Sequence, residues 1–154
     1  MLKNYIRGFL VDVWVCVDGI HYTGIVIGWN QELYEVEESV EQASLCAMIF
    51  EGSLAVTLPP LNIAIRDGTS QGGAGPSVQQ DYIPTPNPDQ FIFSVADVGP
   101  ICTNIIIMED LVLELTLEDF FADLSFTAGD EPERVTISPV TTEVNIRDND
   151  CECY

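Results

Sequence analysis

The sequence predicts an all-β antiparallel sandwich of about seven short strands. Three observations carry that expectation. Apolar and polar residues alternate in stretch after stretch, the period-two signature of half-buried strands. Gly, Pro, Asn, Asp and Ser punctuate the intervals. No run of ten or more residues carries the 3.6-residue apolar period of a helix. With 154 residues, and Leu, Ile, Val and Phe plentiful, the chain has material for one packed core but not for two full domains. Short strands separated by turns point to an immunoglobulin-like arrangement.

Residues 1–31 read as an N-terminal segment distinct from the rest of the chain. Lys3 and Arg7 precede an apolar run over residues 9–17, which has the outline of a secretory signal. Asp12 in its middle, and the lack of a clean small-residue cleavage site, argue against that reading. The run is also too short to cross a hydrocarbon layer of about 30 Å. Val11, Val13, Val15 and Val17 alternate, then Asp18-Gly19 leads to Ile20 and Tyr22. Asp-Gly supplies the positive φ angles of a tight hairpin turn, so residues 9–27 read as a β-hairpin.

Residues 32–150 read as the sandwich. A strand starts near Tyr34, and residues 45–50 form a second, apolar one. Leu61, Ile63 and Ile65 alternate with Asn62, Ala64 and Arg66. Residues 69–88, rich in Gly, Ser, Gln and Pro, read as a long mobile loop. Phe91, Phe93 and Val95 alternate, and residues 105–107 form a buried run. Leu111, Leu113, Leu115 and Leu117 share one face, and Phe120, Ala122, Leu124 and Phe126 continue inward. Those two sets share a face only if one residue is skipped, which predicts a bulge or a bend near Asp119. Val144 and Ile146 mark the last strand, and residues 151–154 form a cysteine-bearing tail.

The charge balance is 25 acids against 5 Lys and Arg, a formal net of −20. Nucleic acid binding needs a basic footprint, which this chain lacks. Anionic membrane surfaces are disfavoured for the same reason, and no direct membrane insertion is expected. A scattered acidic surface serves solubility alone, so the placement of the acids decides. Cys16, Cys46, Cys102, Cys151 and Cys153 form no CxxC pair, and the single His21 is distant in sequence, which argues against structural zinc. Cys46 and Cys102 sit in apolar runs and read as small core residues.

Many acids fall at strand boundaries: Glu37 and Glu38, Asp67, Asp81, Glu109 and Asp110, Glu118 and Asp119, and Asp148 and Asp150 around Asn149. Two like charges about 4 Å apart repel by roughly 4 kcal/mol at an effective dielectric of 20. A hard cation relieves such crowding. Calcium, which takes six to eight oxygen ligands in flexible geometry, suits it better than magnesium does.

These residues resemble the Calx-beta domain family. Tyr34-x-Val36-x-Glu38 is similar to its opening strand, and Asp81-Tyr82 followed by Pro84 to its internal Asp-Tyr motif. Ile107-x-Glu109-Asp110, with Glu114, Glu118 and Phe120, resembles its central block. The stretch from Val144 to Asp150 resembles its closing strand and acidic triplet. The resemblance implies a seven-stranded sandwich holding Ca2+ in acidic loops at one end, with Glu38, Asp81, Glu109, Asp110, Glu114, Glu118, Asp148 and Asp150 as ligands. It further implies a module of a membrane-associated or extracellular protein of adhesion or cell communication, partnered by neighbouring domains or other proteins. The family includes the calcium sensor of sodium–calcium exchangers and a domain of integrin β4. The chain departs from the pattern at Glu109, where Asp is usual, in the four-residue spacing of Glu114 and Glu118, at Asn149, and in a longer segment over residues 69–80. The alternative is a structural or adhesion sandwich that lost tight calcium binding and acts through protein contacts.

Catalysis has little support. One histidine permits no convincing nucleophile–base pair, and Gly72-Gly73-Ala74-Gly75 lacks the Lys-Ser/Thr ending of a phosphate loop. Trp14 and Trp29 read as packing residues, and Phe121 as facing away from the core.

Overall fold

The computed structural model describes residues 16–17, 20–21, 24–73, 80–96, 99–109 and 117–148. Twelve strands lie among them: β1 (Cys16–Val17), β2 (Ile20–His21), β3 (Ile25–Trp29), β4 (Leu33–Glu37), β5 (Gln42–Glu51), β6 (Leu61–Asp67), β7 (Tyr82–Asn87), β8 (Gln90–Phe91), β9 (Ile101–Ile107), β10 (Glu118–Phe126), β11 (Val135–Ile137) and β12 (Thr141–Arg147). A single 3₁₀ turn, Glu38–Val40, comes directly after β4. Ten of the strands form two five-stranded sheets, β4-β12-β10-β6-β8 and β11-β3-β5-β9-β7, which face each other as an immunoglobulin-like sandwich, and β1 and β2 pair separately.

Parity along each strand builds the core. Ala43, Leu45 and Ala47 of β5, Ile105 and Ile107 of β9, Phe120, Ala122 and Leu124 of β10, and Val144 and Ile146 of β12 are all buried. Burying each Leu, Ile, Val or Phe among them removes apolar surface from water, stabilising by about 1.5–3 kcal/mol, and each Ala by less. Trp29 is fully enclosed, meets Phe91 edge-on at 5.8 Å, and donates its indole N–H to the Val140 carbonyl at 3.1 Å. Gly28 lies beside it because the chain returning from β11 presses on the strand. A Cβ there would stand 2.2 Å from the Ser138 carbonyl oxygen.

Several elements differ from the sequence expectations. The hairpin exists as the short pair β1 and β2, with Val17 opposite Ile20, but β3 is a working strand of the second sheet. Periodicity could not reveal that β3 and β4, close in sequence, enter different sheets. Both β4 on β12 and β11 on β3 pair in parallel, so the sandwich is not wholly antiparallel. Residues 82–87, expected in a loop, form the edge strand β7, where Pro84 and Pro86 are tolerated because an edge leaves one side of the backbone unpaired. Val95 is exposed rather than inward. Leu117 is exposed too, and the β10 ladder runs without a register shift from Glu118, so no bulge at Asp119 is needed. The strand expected over Leu111–Leu115 lies outside the described residues. Cys46 and Cys102 are not core thiols but a disulfide across β5 and β9. Alternation explains it: Leu45 and Ala47 take the inner face, so Cys46 points outward.

Candidate ion-binding pole

Register brings the strand-end acids to one end of the sandwich. In the first sheet Asp67 pairs with Phe120, Glu118 with Ile146, and Arg147 with Glu37. The ends of β6, β12 and β4 and the start of β10 therefore share this pole. In the second sheet Gln42 pairs with Ile106 and Tyr82 with Ile107, so the starts of β5 and β7 and the end of β9 share it too. Two backbone bonds tie the loops together: the Ile107 N–H donates to the Glu41 carbonyl at 3.0 Å, and the Met108 N–H to the Asp81 carbonyl at 2.8 Å. Glu41, in a left-handed conformation (φ 61°), turns the chain from the 3₁₀ turn into β5.

Of the residues singled out in sequence, Glu38, Asp81, Glu109, Glu118 and Asp148 are described, and all five stand at or next to these strand ends. Glu38 and Asp81 are buried, with 4% and 5% of their surface exposed. Glu118 and Asp148 are half-buried, and Glu109 is exposed. One carboxylate oxygen each of Glu38 and Glu118 is closed off from solvent. Asp110, Glu114 and Asp150, and the neighbouring Asn149, lie outside the described residues. Among the described residues no three Asp, Glu, His or Cys side chains gather closely enough to hold a metal.

Three carboxylates at the pole organise backbone. Asp81 Oδ2 accepts from the Gln71 N–H at 2.6 Å, and Asp81 N–H donates to the Gln71 carbonyl at 3.0 Å. Asp67 Oδ1 accepts from the Tyr82 hydroxyl and from the Gly72 N–H. Asp119 Oδ1 accepts from the Thr69 N–H at 2.6 Å and from the Thr69 hydroxyl. The segment expected to be a mobile loop is therefore pinned over residues 69–73. The Tyr82 hydroxyl and then the Gly72 N–H hold the Asp67 carboxyl below its usual range, and the Thr69 hydroxyl and N–H do the same for Asp119. Burial first, then the Asp67 carboxylate, push the Tyr82 phenol well above its ordinary value. Tyr82 is fully enclosed, and its ring stacks on Phe120 at 4.2 Å, so the aromatic floor and the acidic rim of the pole are one structure. Sequence reasoning noted Asp67 and Asp119 as strand-end acids but missed their anchoring role. The hydroxyl-rich Thr69-Ser70 after Asp67-Gly68 was the available signal.

The outer face of the first sheet carries charge of another kind. Arg66 donates to Asp123 at 2.8 Å and lies 4.3 Å over the Phe121 ring, and Arg147 donates to Glu35 at 3.0 Å. Exposed pairs of this sort are worth about 0–1 kcal/mol.

Residues 22–150 match the family model of the Calx-beta domain. No curated protein sequence gives a significant match. Among solved structures, the apo form of the Calx CBD1 domain superposes with a TM-score of 0.62 at 20% identity, covering 82% of this chain and 99% of that one. A structure of CBD12 from CALX1.2 gives 0.60 at 20% identity, over 81% of this chain and 44% of that one. The Calx CBD2 domain gives 0.58 at 14% identity, over 80% and 86%. At these identities the structures speak for the fold, while the family model spans most of the sequence, and so this chain belongs to the Calx-beta domain family.

Proposed function

We propose that this domain is a calcium-binding module whose ion is held at the acidic pole by Glu38, Asp81, Glu109, Asp110, Glu114, Glu118, Asp148 and Asp150. The observation that carries this reading is the burial of Glu38 and Asp81 at the one end where the starts and ends of seven strands meet. Taking ionised carboxylates out of water is costly, and a cation among them offsets that cost. The donor set is all oxygen, which suits a hard cation. In support, the fold is similar to that of the calcium binding domain CBD12 of CALX1.1.

On this reading the chain's own residues do three things. Asp67, Asp81 and Asp119 fix the rim by holding backbone N–H groups. Glu38 and Glu118 offer oxygens from the ends of two strands of the first sheet. Asp148 brings the end of β12 to the same place. Ion binding neutralises the rim, stiffens the loops and sets the angle to a neighbouring domain. The work is binding rather than catalysis. The Cys46–Cys102 bridge supports a compartment that permits disulfides, in keeping with an extracellular or membrane-associated parent protein of adhesion or cell communication.

Isothermal titration with calcium and with magnesium tests the proposal. Calcium should bind in preference, and a hundredfold excess over the dissociation constant should stabilise the fold by about 2.7 kcal/mol. No heat and no melting shift at millimolar calcium would discard it. A second reading, a sandwich that lost tight binding and acts through protein contacts, draws on the absence of a three-carboxylate cluster among the described residues. Chelator-insensitive melting with self-association would favour it.

A further inference from the structure

We propose that the Cys46–Cys102 disulfide is a thiol-exchange site, opened and closed in the folded domain, whose state sets the ion affinity of the acidic pole. The second half of this inference rests on the calcium reading; the first half does not.

Three features argue for exchange in the folded state. The bridge joins directly opposed residues of β5 and β9, on the outer face of the second sheet. Cys102 is exposed and Cys46 half-buried, so an incoming thiolate can reach Cys102 without unfolding the domain. Exposed disulfides are the exchangeable ones, because attack needs access to sulfur. Finally, the strands do not depend on the bridge for alignment. They share six register pairs, from Gln42 opposite Ile106 to Ala47 opposite Ile101, and Leu45, Ala47, Thr103 and Ile105 are buried between the sheets. Loss of the bridge removes a cross-link between residues 56 apart in sequence but leaves the ladder and core.

The chemistry balances with a small thiol as reductant. Its thiolate attacks the Cys102 sulfur, forming a mixed disulfide and expelling Cys46 as a thiolate, which takes up a proton. A second thiolate attacks the mixed disulfide at the sulfur of the first thiol, releasing Cys102. Two thiols are oxidised to one disulfide, and two cysteines are reduced.

The connection to the pole runs through Cys46. Its N–H donates to the Tyr34 hydroxyl at 3.0 Å, and that hydroxyl donates to Asn30. Tyr34 lies in β4, which ends one residue before Glu38. Cys102 lies in β9, whose end leads to Met108 and Glu109 and bonds to Glu41 and Asp81. The bridge thus clamps two strands that deliver pole residues, with the opening strand fastened to the same backbone unit. Reduction leaves the β5–β9 register in place but removes a covalent restraint on fluctuations of the two strands, which loosens the spacing of the ion ligands.

The test uses the full chain with Cys16, Cys151 and Cys153 changed to Ser, so that only this pair titrates. It is exposed to reduced and oxidised glutathione in native buffer, then alkylated and mapped by mass spectrometry. Expected are full reduction of the pair well below the melting temperature, a cooperative melt lowered by about 10 °C, and return on oxidation. Calcium affinity should fall about fivefold on reduction and recover with the bridge. The further change Cys46→Ser with Cys102→Ser should reproduce the reduced melt and lose all response to glutathione. Labelling that appears only when the domain unfolds would overturn the exchange site. Equal calcium affinity in both states would overturn the coupling. Absence of calcium heat in both states sinks the calcium reading and the coupling with it, while the alkylation pattern still decides the exchange site.

Discussion

Both ends of the sandwich are acidic, but they use their acids differently. At one end Glu38 and Asp81 are buried, and Asp67, Asp81 and Asp119 accept hydrogen bonds from loop backbone. At the other, Asp130, Glu131 and Glu133 stand exposed on the turn after β10. Glu131 there accepts from the nearby Gly129 N–H, at 2.8 Å. That end also carries a cleft of about 330 Å3 lined by Met48, Ile49, Ser53, Leu54 and Val95, with Phe50, Val56 and Ile92 also exposed. Solvation alone explains the exposed set. It does not explain carboxylates taken out of water, which is why burial rather than net charge identifies the candidate site.

The largest expected effects break the two ends apart by their floors. Phe120→Ala, beneath the buried acids, and Phe91→Ala, toward the opposite end, should each cost about 3–5 kcal/mol in denaturant unfolding. Only Phe120→Ala should also weaken calcium binding, because Tyr82 stacks on Phe120 and bonds to Asp67. Equal loss of ion affinity in both would erase the distinction. Next, Glu38→Gln should weaken calcium binding about tenfold or more by titration, a loss of about 1.4 kcal/mol. Glu133→Gln at the opposite end should leave it unchanged.

A smaller effect appears with acid. Asp67 and Asp119 have lowered native pKa values, so their ionised forms stabilise the fold. That contribution is complete above the unfolded carboxylate value of about 3.9, and is lost as pH falls through the lowered native values. Melting temperature should therefore drop below about pH 4, and Asp67→Asn with Asp119→Asn should flatten that limb. Asp130→Asn with Glu131→Gln should not alter it. Smallest of all, Val95→Ser at the cleft should change stability by about 0.5 kcal/mol or less, since the residue is already exposed.

The sandwich was legible because alternation is a local property. Phe120, Ala122 and Leu124, or Val144 and Ile146, declare their inner face within a few residues. That several acids stand at strand ends was legible too, but which ends share a pole was not: β4 and β12 end together because they pair in parallel, which alternation does not encode. What stayed hidden was long-range. That β3 joins β5 depends on packing that places Trp29 beside Phe91, 62 residues away. The disulfide depends on register between β5 and β9, which no local pattern encodes. The anchoring of Thr69 and Ser70 depends on Asp119, fifty positions on from Thr69. A stretch rich in Gly and Ser reads as loose until its distant carboxylate is known.

The placement of β3 and β12 has a mechanical consequence. The first leads into the body at Ile25, next to Gly52 at the cleft end. The second runs out to Arg147 at the carboxylate end, paired with β4 on one side and β10 on the other. Tension applied between residues 24 and 148 therefore pulls along the strand axes. The rungs of each ladder then share the load, and unfolding under such tension requires them to give way together.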